Sequence, residues 1–226
     1  MNTKQIAEDF AHDGYALIKG VFTLEEVKEM RRRADKHAAD PNIDPKHLST
    51  VYNTLVLRRC HELDPLYAEK IHNAQIQEIL TEVLGRDPRF NALNIIISQP
   101  GTAISNWHID DTLEHPLPND IPRFDSRIKM PVLWLTVQVA LSDIDSLANG
   151  PTQFVPGSHF SGRHPSDDLI FEGKGPIEVL CKAGDIYLTN HQCWHRGAPN
   201  VSDRTRYVMQ LQYGTRWADS RFKGTS

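Results

Sequence analysis

Cysteine is scarce. The 226 residues include three, Cys60, Cys181 and Cys193, and none forms a CxxC pair. An odd, scattered set argues against a disulfide framework, and such usage fits a reducing, cytoplasmic setting. Positive charge is not in excess either. Lys and Arg number 25 against 29 Asp and Glu, for a net charge of −4 and a pI near 6.2. That balance gives no surface suited to nucleic acid. The one basic run, Arg31-Arg32-Arg33, falls in a mixed helical pattern and reads as a solvated face. No apolar stretch approaches the roughly 18 residues of a membrane span. The opening MNTKQIAEDFAHDG has no apolar centre and carries acidic residues, so no secretory signal is expected. Tandem repeats, low-complexity linkers and Gly-rich phosphate loops are also missing. What remains is a soluble chain long enough for one sizeable core, with a small molecule as the expected partner and nothing to indicate an oligomeric state.

Histidine is the unusual abundance, with 11 residues. The first 85 residues read as mostly helical. Thr3 caps a helix over residues 4–12, Asp13-Gly14 breaks it, and residues 15–19 form a short strand. Thr23 and Glu26 make a capping box for a helix from Leu24 to about Ala38. A further helix is expected over residues 66–84, with Ile76, Ile79, Leu80 and Val83 on one face and Gly85 beyond its end. From Phe90 the texture changes to short apolar or alternating runs divided by Pro, Gly, Asn and Asp: NALNIIIS, PVLWLTVQVAL, TQFV, IEVL, GDIYLTN and RYVMQLQYG. Strands at such intervals indicate a sandwich or barrel. The expected organisation is therefore one domain over 1–226, with residues 1–88 as a mostly helical cover and 89–217 as the β core.

Within WHIDD, His108 and Asp110 are two apart, and on a strand they project to one face. Downstream, the strand in GDIYLTNHQCWHRG leads to His195. Two imidazoles and one carboxylate form the facial triad of non-haem Fe(II) oxygenases, leaving open positions for a bidentate co-substrate and O₂. A keto-acid co-substrate would also need a cation for its remote carboxylate. Arg204, nine residues after His195, and Arg206 on the same strand face are the candidates, since a guanidinium binds carboxylate through two parallel hydrogen bonds.

The ordered set DGYALIKGVFTLEEV, WHID, NGPTQFVPGSH and AGDIYLTNHQCWHRGAPNVSDRTR, spread over nearly the whole chain, resembles the phytanoyl-CoA dioxygenase family of Fe(II)/2-oxoglutarate oxygenases. The resemblance implies a double-stranded β-helix (a cupin-like jelly roll) flanked by N-terminal helices. It implies iron held by His108, Asp110 and His195, and 2-oxoglutarate held by Arg204, which follows Ser202-Asp203 as the family pattern expects, with Arg206 as second choice. The implied activity is hydroxylation of a small organic molecule at an unactivated C–H bond, with O₂ consumed and succinate and CO₂ released. Two positions depart from the pattern. Arg196 stands where the family often has Gly, and Gln138 stands where some members carry a co-substrate-contacting Trp. Trp134 lies four residues earlier on the same strand face, so either could line the co-substrate pocket.

The segment 111–130, rich in Pro and charge, reads as a long loop forming part of a substrate lid, with Asp111, Arg123 and Arg127 as substrate-contacting candidates. His159, in PGSH, reads as structural, and Asn149-Gly150 as a turn. His191 and Cys193 read as loop residues, while Trp107 and Trp194 read as packing that orients the neighbouring ligands. A cupin-like metal enzyme without a keto acid, or a non-catalytic metabolite-binding jelly roll, are the alternatives, and only the oxygenase requires the arginine.

Overall fold

The computed structural model describes residues 2–51, 54–102, 106–110, 112–125, 127–216 and 218. Helix α1 (Thr3–Asp13) is capped by Asn2, whose side chain accepts from the Gln5 N–H, so the cap lies one residue before the expected Thr3. Gly14 ends it in the left-handed region, where an added Cβ would come within 2.8 Å of the Cys193 sulfur. Strand β1 (Tyr15–Ile18) follows, then α2 (Leu24–Ala38), whose capping box is reciprocal between Thr23 and Glu26. Strands β2 (Leu48–Val51) and β3 (Thr54–Leu57) pair as a hairpin that the helical reading of this region overlooked.

The expected helix over 66–84 is divided. After the single turn α3 (Cys60–Leu63), α4 (Pro65–Lys70) stops and α5 (Ala74–Leu84) restarts, because the Asn73 side chain caps the Ile76 N–H. The remaining strands are β4 (Arg89–Ser98), β5 (Trp134–Ala140), β6 (Thr152–Phe154), β7 (Ile177–Glu178), β8 (Ile186–Asn190), β9 (His195–Gly197) and β10 (Arg206–Gly214).

Two antiparallel sheets result, ordered β1-β8-β5-β10-β4-β3-β2 and β7-β6-β9, in a jelly-roll architecture. Residues 1–88 are thus more than a cover, since β1, β2 and β3 belong to the larger sheet. Strand alternation gives that sheet two faces. One face carries Leu93, Ile95, Val137, Met209 and Leu211 into a core with Phe10, Met30, Ile79 and Leu80 of the helices. The other looks toward the smaller sheet, where Ala140 and Val208 pack with Phe154 and Cys181, and Thr152 Oγ1 lies 2.8 Å from the Tyr187 hydroxyl.

Candidate metal centre and its cavity

His108 and His195 face each other across an antiparallel bridge. The His108 N–H donates to the His195 carbonyl at 3.0 Å, and the His195 N–H donates back at 2.9 Å. The WHID segment is therefore a single bridge beside β9 rather than a strand of its own. Asp110 is fixed by its N–H, which donates to the His191 carbonyl at 2.8 Å, while Ile109 turns the opposite way into an apolar cluster with Phe160 and Trp194. The alternation inferred for His-x-Asp survives with very little regular structure. One Asp110 carboxylate oxygen lies 3.4 Å from His108 Nε2 and 3.6 Å from His195 Nε2, and the potential ligand atoms of the three side chains all lie within 4.8 Å of one another.

Each imidazole is oriented from behind. His108 Nδ1 lies 2.7 Å from the Asn106 carbonyl and His195 Nδ1 lies 2.8 Å from the Cys193 carbonyl. A carbonyl can only accept, so Nδ1 carries the hydrogen and Nε2 of the neutral ring presents its lone pair to the cluster. Metal-binding histidines are held in this way. Burial acts to destabilise the charged form of both His108 and Asp110. Their neighbours outweigh it: the Asp110 carboxylate and the Asn106 carbonyl raise the His108 pKa above its ordinary value, and His195 and His108 hold Asp110 well below the carboxylate range. A carboxylate kept ionised between two imidazoles is the donor set a divalent transition metal requires.

The cluster opens into a cavity of about 760 Å³, lined by the second face of the larger sheet. Arg206 is 5% exposed in its wall. Its guanidinium donates to the Gly150 carbonyl, Nε has no partner, and no carboxylate pairs with it among the described residues. Burial lowers its pKa, the sign expected of a desolvated cation. Arg204 is elsewhere. The strand starts at Arg206, and Arg204 lies in the preceding turn, where the Asn200 side chain donates to its carbonyl at 2.7 Å. Its side chain, 54% exposed, meets Asp145 at 3.1 Å on the outer surface. Of the two candidates the structure brings Arg206, and not the favoured Arg204, to the cavity of the cluster, because the turn absorbs the SDR segment before the strand begins.

Trp134 and Gln138 both line the cavity. Trp134 stacks on His191 with ring centroids 4.5 Å apart, and His191 in turn lies 2.7 Å from both the Trp134 carbonyl and Glu114. His191 is thus a buried strut beneath Asp110. Trp194 is pinned by its N–H to Ser158 Oγ and by its indole N–H to the Arg163 carbonyl, while Trp107 lies under the Arg196 guanidinium. Cys193 is fully buried and burial pushes its thiol up to about 12, so it is inert packing.

Arg123 and Arg127 are not brought to this cavity. They line a separate cleft of about 640 Å³ between α1, the end of α5 and the 123–132 loop. There Arg123 pairs with Glu172 and covers the ring of Phe160, and Arg127 pairs with Asp125. The loop is held on that side by Arg163, which donates to the carbonyls of Pro118, Ile121 and Pro122, and by the Phe124 N–H, which donates to Phe160. Asp111 lies outside the described residues. The residues that do line the cavity and were overlooked are Thr54 and Arg58 of the hairpin and its exit, and Asn94, Gln210 and Gln212 of β4 and β10. The available signal was polar residues at alternate positions of otherwise apolar strands, as in VMQLQYG.

A profile of the phytanoyl-CoA dioxygenase (PhyH) family matches residues 10–208. A Caenorhabditis elegans protein described as a phytanoyl-CoA dioxygenase domain-containing protein 1 homolog is 22% identical, with 96% of this chain and 94% of that protein covered. Among solved structures, the 2-oxoglutarate-dependent epimerase SnoN of nogalamycin biosynthesis, in complex with Fe3+, superposes with a TM-score of 0.73. It is 19% identical over 94% of this chain and 83% of that one. Iron-bound EctD from S. alaskensis gives 0.76 at 20% identity over 95% and 77%. The structural likenesses speak for the fold. The family profile spans the last turn of α1 to the start of β10 and takes in the His108, Asp110 and His195 cluster together with Arg206, and on that match the chain belongs to the phytanoyl-CoA dioxygenase family.

Proposed function

We propose that this protein is an Fe(II)- and 2-oxoglutarate-dependent oxygenase that hydroxylates a C–H bond of a small molecule. The observation that carries the reading is Arg206: a buried guanidinium with no carboxylate partner among the described residues, in the same cavity as a two-histidine, one-carboxylate cluster. A lone buried charge is costly unless a ligand completes it, and a dicarboxylate that chelates a metal at one end and meets an arginine at the other does so.

In this reading His108, Asp110 and His195 hold the iron, with both Nε2 lone pairs already turned toward it. Iron and 2-oxoglutarate would supply the activation of O₂, the oxidant, with two electrons from the keto acid and two from the substrate C–H bond, for an overall yield of succinate, CO₂ and the alcohol. Arg206 binds and orients the distal carboxylate in a planar fork. Gln138, 7% exposed and without a hydrogen-bond partner among the described residues, would donate to the keto acid, and Trp134 would wall the same pocket against water. The chain's contribution is position and exclusion, since the cofactors carry the chemistry. A metal enzyme without a keto acid would leave Arg206 unpaired, which disfavours that alternative.

The test is anaerobic visible absorption as 2-oxoglutarate is added to the Fe(II)-loaded protein. A weak charge-transfer band is expected in the wild type and in Arg204→Ala, at least about tenfold weaker keto-acid affinity in Arg206→Ala, and no band in Asp110→Ala. A wild type without the band, or an Arg206→Ala variant that titrates like wild type, refutes the assignment.

A further inference from the structure

The far wall of the cavity, formed by β3, β4 and β10, carries chemistry that the metal and keto acid leave unused. On β3 and its exit, Thr54, Val56 and Arg58 alternate toward the cavity, while Leu55 and Leu57 turn to the helical core. Antiparallel register continues this row across the sheet. Val56 pairs with Ile96 and Leu57 with Ile95, which sets Arg58 opposite Asn94. Asn94 pairs with Gln210, and Gln210 with Gln138. A line of polar side chains therefore crosses four strands from the hairpin toward the keto-acid pocket. The amides of Gln210 and Gln212 meet no protein hydrogen-bond partner among the described residues, and the buried Thr54 hydroxyl likewise has none. Arg58 donates through Nε to Ser49 Oγ at 2.8 Å and has no carboxylate partner among the described residues.

Charge points the same way. Among the described residues, Asp110 is the only carboxylate in the lining. A divalent metal, Asp110, Arg206 and a doubly charged keto acid balance one another, and Arg58 is then the positive charge left over. Arg196 does not line the cavity and is already engaged by Gln153 and the face of Trp107.

We propose that the substrate is a small polar molecule bearing an anionic oxy-acid group, carboxylate or phosphate, which pairs with Arg58 while its hydrogen-bonding body lies along Asn94, Gln210 and Gln212. The proposal rests on the oxygenase reading above. A long alkyl chain on this wall would strand the amides of Gln210 and Gln212 without partners, so acyl chains are selected against. Two parallel hydrogen bonds from the free end of the Arg58 guanidinium suit either oxy-acid.

The experiment is anaerobic calorimetry of the Fe(II)- and 2-oxoglutarate-loaded protein with matched pairs. N-acetylated amino acids are compared with their methyl esters, and sugar phosphates with the free sugars. At least one anionic member is expected to bind about tenfold or more tightly than its neutral partner. Arg58→Gln should erase the preference, Arg58→Lys should restore part of it, and 2-oxoglutarate affinity should be unchanged in both. Compounds that bind should also raise succinate formation above the substrate-free rate. The pair that responds identifies the oxy-acid. A panel with no anionic preference, or a preference that survives Arg58→Gln, overturns the substrate proposal while leaving the oxygenase intact. Failure of 2-oxoglutarate to bind overturns both, and the keto-acid titration that precedes the panel distinguishes the two cases.

Discussion

The two faces of the larger sheet come from the same strands and have opposite characters. On β5, Leu135, Val137 and Val139 enter the helical core fully buried, whereas Trp134, Thr136 and Gln138 face the cavity. On β10, Tyr207, Met209, Leu211 and Tyr213 alternate with Arg206, Val208, Gln210 and Gln212 in the same way. Every side chain on the first face has apolar neighbours to replace water. On the second, several polar groups have no protein partner. The first face supplies stability. The second leaves polar groups open to the cavity, at some cost to the free protein.

Truncation should separate the faces most clearly. Leu211→Ala removes a fully buried side chain between sheet and helices and is expected to cost about 2–5 kcal/mol of unfolding free energy. Iron and 2-oxoglutarate affinity should be retained where the variant is folded. Gln210→Ala, one residue away, should cost less than about 0.5 kcal/mol. Urea denaturation of the pair checks this, and equal losses would break the comparison.

Arg206→Met tests it next. Replacing an unpaired buried charge with an apolar side chain of similar length should leave the ligand-free protein as stable as wild type, or more stable by about 1–3 kcal/mol. The rise in Tm that 2-oxoglutarate gives the wild type should vanish. A ligand-free Arg206→Met that melts well below wild type would show that the guanidinium is structural.

The last test concerns His159, which lines the separate cleft with Arg123 rather than the cavity of the metal cluster. Its Nε2 lies 3.1 Å from the Ala11 carbonyl and its Nδ1 has no partner. Burial holds its pKa down at about 4 despite that carbonyl. The unfolded chain therefore takes up a proton near pH 6.5 that the folded protein refuses until about pH 4. The contribution is intact above pH 6.5 and is lost as pH falls through that window, by on the order of 3 kcal/mol. His159→Gln should flatten the decline between pH 7 and 4.5 in denaturation midpoints, and an unchanged slope would remove His159 as its source.

Much of the fold was legible because its signals are local. The capping box at Thr23 and Glu26, the left-handed stop at Gly14 and the alternating runs after Phe90 each depend on neighbours a few residues away. The β2–β3 hairpin escaped because its strands are four residues each and part of its pattern is set by the sheet it joins. The break at Asn73 escaped because apolar spacing continues across it while the cap lies in a single side chain.

The sequence by itself determined the nature of the site. His108 and Asp110 share a face by strand alternation, and the order of the motifs set His195 and a following arginine beside them. Only the tertiary structure decided which arginine reaches the cavity and what else lines it. Arg204 and Arg206 are equivalent in spacing, and the turn held by Asn200 sends one to the surface and the other into the wall. Likewise Arg58 and Gln210 are 152 residues apart by number and meet one cavity only through the register of β3, β4 and β10. Side-chain direction is a local property of the backbone, whereas the partner a side chain faces is settled by strand pairing over long distances.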